Sequence, residues 1–95
     1  MARVVIDYGL GYFKTDEVKV ENQDGKWVVY SRDMRLVEGD EEGLNCKALF
    51  NLQVIVEIED DKKYWFWGYL IRKKNGNYAV VSHDRVKIGD EWLNH

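Results

Sequence analysis

Proline is absent from this 95-residue chain, cysteine occurs once and histidine twice, and each scarcity removes a class of explanation. Without proline, no extended segment is barred from pairing within a sheet. Cys46 has no second cysteine to bond, and with His83 and His95 it offers no ligand spacing suited to zinc. A reducing compartment is therefore expected, which places the protein in the cytoplasm. No apolar run approaches the roughly 18 residues of a membrane helix. Near the N-terminus, Arg3 and Asp7 bracket only Val4-Val5-Ile6, too short for the apolar region of a signal peptide. The net charge is only −3, too little basic character for general DNA binding and too little acidity for a heavily charged DNA mimic.

What the chain does have is aromatic mass. Four Trp, six Tyr and an apolar fraction of 45% supply enough burial for one small domain, 1–95, to fold without a cofactor or disulfide. The most structured-looking stretch is residues 52–82. Leu52-Gln53-Val54-Ile55-Val56-Glu57-Ile58 and Tyr64-Trp65-Phe66-Trp67-Gly68-Tyr69-Leu70-Ile71 are followed by Tyr78-Ala79-Val80-Val81-Ser82, with polar inserts only a few residues long between them. Runs rich in β-branched and aromatic residues, separated by short polar turns, predict an antiparallel meander. Upstream, Val4-Val5-Ile6 before Gly9-Leu10-Gly11 reads as a strand and a bend. Glu17 to Ser31 reads as a hairpin turning at Asp24-Gly25. Arg32 to Gly43, with two glycines and four carboxylates near its end, reads as a surface loop. Leu44 to Asn51 allows a short helix, near Leu44 to Phe50, or an irregular lead-in, and Val86 and Ile88 allow one further strand. The fold class expected is mainly all-β: a single small barrel or a bent antiparallel sheet of five to six strands, with at most one short helix.

Along 52–58, Leu52, Val54, Val56 and Ile58 share one face. The strand from Tyr64 to Ile71 has no polar face at all, because Tyr64, Phe66, Gly68 and Leu70 alternate with Trp65, Trp67, Tyr69 and Ile71. Such a strand is either buried on both sides or presents one side to a partner. The run Val54 to Ile71 with Asn75-Gly76-Asn77-Tyr78-Ala79-Val80-Val81 resembles the centre of a Tudor module, or more broadly of an SH3-like barrel. An apolar strand there leads through an acidic turn to a Trp/Tyr-rich strand, and a Gly-containing turn leads to the next. The resemblance implies an aromatic cage for methylated lysine or arginine, with Trp65, Trp67 and Tyr78 at the corresponding positions. The Asp-Tyr-Gly turn usual in such modules is replaced after the third strand by Ser82-His83-Asp84-Arg85.

Three other uses fit the same residues. Trp65, Trp67, Tyr69 and Arg72 are of the types that anchor protein interfaces, with Glu57 and Glu59 as a polar rim. Stacking on single-stranded nucleic acid would draw on Lys62, Lys63, Arg72, Lys73, Lys74, Arg85 and Lys87. The rings could also simply be core. Catalysis has little to stand on: His83 and Asp84 are adjacent in an extended segment and so point apart, and Cys46 beside Lys47 has no assignable base. The expectation is a non-catalytic, cofactor-free protein-binding module, a small regulator or inhibitor of the kind viruses and mobile elements encode. A methyl-lysine or methyl-arginine reader and a single-strand binder are the alternatives, and pairing with a second copy through an open sheet edge is left open.

Overall fold

A computed structural model of the chain describes residues 1–46, 49–58, 62–88 and 91–92. In chain order these form β1 (Ala2–Ile6), a 3-10 turn (Asp7–Gly9), β2 (Gly11–Thr15), β3 (Lys19–Gln23), β4 (Lys26–Gly39) and α1 (Glu41–Cys46). β5 (Leu52–Ile58), β6 (Lys62–Arg72), β7 (Tyr78–Ile88) and β8 (Glu91–Trp92) follow. All the strand pairs are antiparallel. The neighbours run β4-β2-β1-β5-β6-β7, and β7 returns to β4, closing a six-stranded barrel. β3 extends this ring as a hairpin on β4, and β8 is a two-residue addition to β7.

The interior follows from alternation. Val4 and Ile6 of β1, Phe13 of β2, Val54 and Val56 of β5, Phe66 and Leu70 of β6 and Val80 and Val86 of β7 all point inward and are buried. Leu44 from α1 is completely buried as well, so the helix contributes to the core through this side chain. The expected hairpin over Glu17 to Ser31 is present as β3 and β4. Its turn takes positive φ at both Asp24 (52°) and Gly25 (85°), the backbone of a two-residue turn whose twist matches that of the strands.

Arg32 to Gly43 is not a surface loop. β4 continues to Gly39, and α1 begins two residues later. Within β4 the buried positions are Val29 and Ser31, then Met34, because the pairing with β7 shifts between Ser31 and Met34. Arg32 and Asp33 form this bulge, and the inward phase changes parity across it. The acidic run that suggested a loop is a helix start: Asp40 Oδ1 accepts a hydrogen bond from the Gly43 amide at 3.0 Å, and the Leu44 amide donates to the Asp40 carbonyl at 2.8 Å. Asp at the cap with Glu41 and Glu42 in the first turn is favourable on both hydrogen-bonding and dipole grounds. The helix therefore starts three residues before the expected Leu44 to Phe50 span and ends at Cys46, and Leu49 and Phe50 belong to a turn. The tail after Ser82 needs no separate strand, since β7 runs on to Ile88 past a second irregularity opposite Phe66 to Gly68.

Buried polar groups serve the bulge in β4. Thr15 Oγ1 donates to the Asp33 carbonyl at 2.8 Å and sits 2.8 Å from Ser31 Oγ, while Ser82 Oγ accepts from the Val29 amide at 2.8 Å. Outside, Asp33 Oδ1 accepts from Asn77 Nδ2 at 3.1 Å and from Lys73 Nζ at 3.2 Å, tying the bulge to the β6–β7 turn. These contacts, the Asn77 hydrogen bond foremost, hold the Asp33 carboxyl below the usual aspartate range. The folded carboxyl binds its proton less tightly than the unfolded one. Its stabilising effect is thus complete above the unfolded pKa and is lost as pH falls through the folded value. An NMR titration is expected to give Asp33 a midpoint lower than that of a free aspartate, and lower still than in an Asn77→Ala variant. Equal midpoints in the two proteins would show the Asn77 contact to be inconsequential.

Candidate aromatic interaction face

β6 presents its two sides very differently. Tyr64, Phe66, Gly68 and Leu70 are buried, whereas Trp65 is half-buried, Trp67 and Tyr69 are each 42% exposed and Ile71 is 49% exposed. Side-chain alternation along a strand of a closed barrel forces this split, because the interior can take only every second residue. Trp65 and Trp67 meet edge to face, with ring centroids 6.4 Å apart. The Tyr69 ring packs against His83 of β7 at 4.1 Å, and the His83 Nε2 atom lies 2.6 Å from the Phe50 carbonyl, which can only accept. That bond holds the turn before β5 against the sheet and leaves Phe50 62% exposed. The Leu70 amide donates to the Leu49 carbonyl at 2.6 Å, fixing the same turn from the β6 side. Phe50, Tyr69, Ile71 and Val81 thereby border a shallow apolar groove.

The remaining candidates divide. Glu57 is half-buried on the outer side of β5, opposite Lys63 and two residues from Ile55, which is itself opposite Trp65. It belongs to the rim of the same face. Glu59 lies outside the described residues. Arg72 has the inward phase at the end of β6, and its guanidinium donates to the Leu44 carbonyl, tying the barrel to α1. It does not join the tryptophans. Tyr78 is the clear correction: it is only 8% exposed, and its ring meets Phe13 edge to face at 5.0 Å inside the barrel. A cage of Trp65, Trp67 and Tyr78 therefore does not assemble, because Tyr78 and Trp67 occupy opposite sides of the wall.

Sequence inspection missed Gln53. It stands opposite Trp67 in the β5–β6 register, is only 6% exposed, and its Oε1 atom is buried with no hydrogen-bond partner among the described residues. An orphaned acceptor costs roughly 1–3 kcal/mol. Its place beside the exposed rings puts two departures from ordinary folding economy in one region, which is where functional surfaces are expected.

No family model, curated protein or solved structure matches this chain. The geometry alone establishes a small, closed, six-stranded antiparallel barrel with one short helix. Among the described residues, no group of three or more His, Cys, Asp or Glu side chains is placed to hold a metal ion.

Proposed function

We propose that the protein is a non-catalytic binding module that acts by occupying the surface of a partner protein with the outer side of β6, as a small regulator or inhibitor does. The observation that carries this reading is the exposed row Trp67, Tyr69 and Ile71, continued by Phe50. Large rings left in water on a rigid sheet cost solvation free energy that burial in a partner would recover. Trp and Tyr are also the residue types whose truncation costs most at interfaces, commonly about 2 kcal/mol or more each. Half-buried Trp65, Ile55 and Glu57 would surround these anchors and help exclude water from them.

The reading of residues 52–82 as Tudor-like survives here only as a likeness of strand pattern, since the third wall of the cage faces inward. A methylated cation could still contact Trp65 or Trp67 singly, and fluorescence titration with methylated and unmethylated peptides would detect it as a difference between the two.

The decisive experiment compares wild type with Trp67→Ala and Tyr69→Ala in affinity purification from the native host, alongside thermal unfolding. Both variants are expected to remain folded, with stability changed by only about 0.5 kcal/mol each, as is usual for exposed positions, and to lose the captured partner. A partner retained equally by both folded variants would remove the aromatic face from the interface.

A further inference from the structure

The outer surface carries a second pattern, assembled from strands distant in sequence. Trp65 stands opposite Ile55, Ile55 opposite Val5, Val5 opposite Tyr12, and Tyr12 opposite Glu38. The neighbouring row, in the same strand order, is Lys63, Glu57, Arg3, Lys14 and Arg35. An apolar band thus leads from the aromatic face around the barrel, bordered by four cations and one carboxylate. At its far end Arg3, Lys14 and Arg35 face one another across adjacent strands, half-buried or exposed. The Arg3 guanidinium lies over the Tyr12 ring at 4.9 Å. Two ion pairs among the described residues lie elsewhere, Glu17 with Lys19 and Asp33 with Lys73.

Like charges directly opposite one another weaken a sheet. Arg3 has Glu57 on its other side and Tyr12 beneath it, but folding alone gives no reason for a lysine at position 14 between Arg3 and Arg35, and glutamate there would replace two repulsive neighbours by two attractive ones. We infer that the partner meeting this surface is an acidic polypeptide segment, in which carboxylates alternate with apolar side chains. The apolar side chains rest on Trp65, Ile55, Val5 and Tyr12, and the carboxylates meet Arg3, Lys14 and Arg35. This rests on the aromatic face being the binding surface and names the chemistry of what it meets. Two features favour polypeptide over single-stranded nucleic acid. The middle of the band is aliphatic, so it offers no ring for a base to stack on, and one face of Tyr12 is already covered by Arg3. The weak overall charge of −3 also provides no broad attraction for a polyanion.

The test uses fluorescence anisotropy with three labelled probes: a short peptide alternating Glu and Leu, its Lys-Leu counterpart, and oligothymidylate. The proteins are wild type, Lys14→Glu, Arg35→Gln and Trp67→Ala. Wild type is expected to bind the Glu-Leu peptide, more weakly as salt rises, and to ignore the other two probes. Lys14→Glu should bind about tenfold more weakly or worse, since it removes one attraction and adds a repulsion, while its thermal midpoint rises by about 4 °C. Arg35→Gln should lose about threefold without a change in fold. Failure of the Glu-Leu peptide to bind at low salt overturns the inference, as does undiminished binding by Lys14→Glu. A fall in its midpoint does the same, because the trio would then be part of what stabilises the sheet. Binding of oligothymidylate that is lost in Lys14→Glu would assign the row to nucleic acid instead. If Trp67→Ala loses the natural partner while Lys14→Glu keeps it, the aromatic face stands and the acidic partner falls. If Trp67→Ala keeps it, the aromatic face falls.

Discussion

Phe66→Ala is expected to destabilise the protein by about 3–5 kcal/mol, the range for removing a large ring from a packed interior. Phe66 is completely buried, lies opposite Val54 on β5 and Val86 on β7, and so stands at the centre of the three-strand unit that carries the aromatic face. Two effects add: the lost transfer of the ring from water, and the void left where the closed wall cannot collapse inward. A small domain commonly has about 5–15 kcal/mol in total. The variant should therefore unfold at much lower denaturant than wild type, or be unfolded at ordinary temperature. Its neighbour gives the contrast that makes the result informative, because Trp67→Ala removes a larger ring from the other side of the same strand and should leave the unfolding midpoint nearly unchanged. Equal losses from the two substitutions would mean that β6 is enclosed on both sides.

The second large effect is expected at Gly68. A Cβ atom there would lie 2.5 Å from the Val81 carbonyl oxygen and 3.1 Å from the Phe66 ring. The first of these is a backbone atom, which cannot move without opening the β6–β7 pairing. Gly68 sits where that pairing changes register, with Ser82 opposite it and Val86 opposite Phe66. The extra residues on β7 bend the wall at this point, and the strands can come this close only where one of them has no side chain. Gly68→Ala should cost about 1–3 kcal/mol as an overpacked position, and Gly68→Val more. Hydrogen exchange would locate the damage, with the amides of Leu70 and Val80 expected to lose protection before those of β1 and β2. An alanine variant as stable as wild type would show that β7 can yield locally.

Most of the meander was legible because residues 52–58, 64–71 and 78–82 each read as one unbroken run between polar turns, the irregularity in β7 coming only after Ser82. The alternation from Tyr64 to Ile71 told that two different surfaces existed, although not which was which. Only closure of β7 onto β4 decides that, by giving Tyr64, Phe66 and Leu70 an interior. β4 was hidden for a local reason: the bulge at Arg32 and Asp33 changes the inward phase from Ser31 to Met34, so no single period of two runs through it. The helix was hidden by charge. Asp40-Glu41-Glu42 looked like solvated loop, yet an Asp three residues before the Gly43 amide was an available capping signal. Tyr78 illustrates the opposite error, since its position after a turn says nothing about which side of the wall it takes. The row of Arg3, Lys14 and Arg35 could not be read at all, because its members belong to three strands whose register is set by the whole ring.

Closure of that ring has a kinetic corollary. The Val29 amide of β4 reaches Ser82 Oγ of β7 across 53 positions of chain, so the pairing that closes the ring has to bring together strands far apart in sequence. A search of that length is entropically slow, so the chain should fold in milliseconds to seconds rather than microseconds. The excised three-stranded segment from Leu52 to Ser82 would have no second wall against which to orient its rings, and in isolation it should aggregate rather than fold as a miniature of the whole.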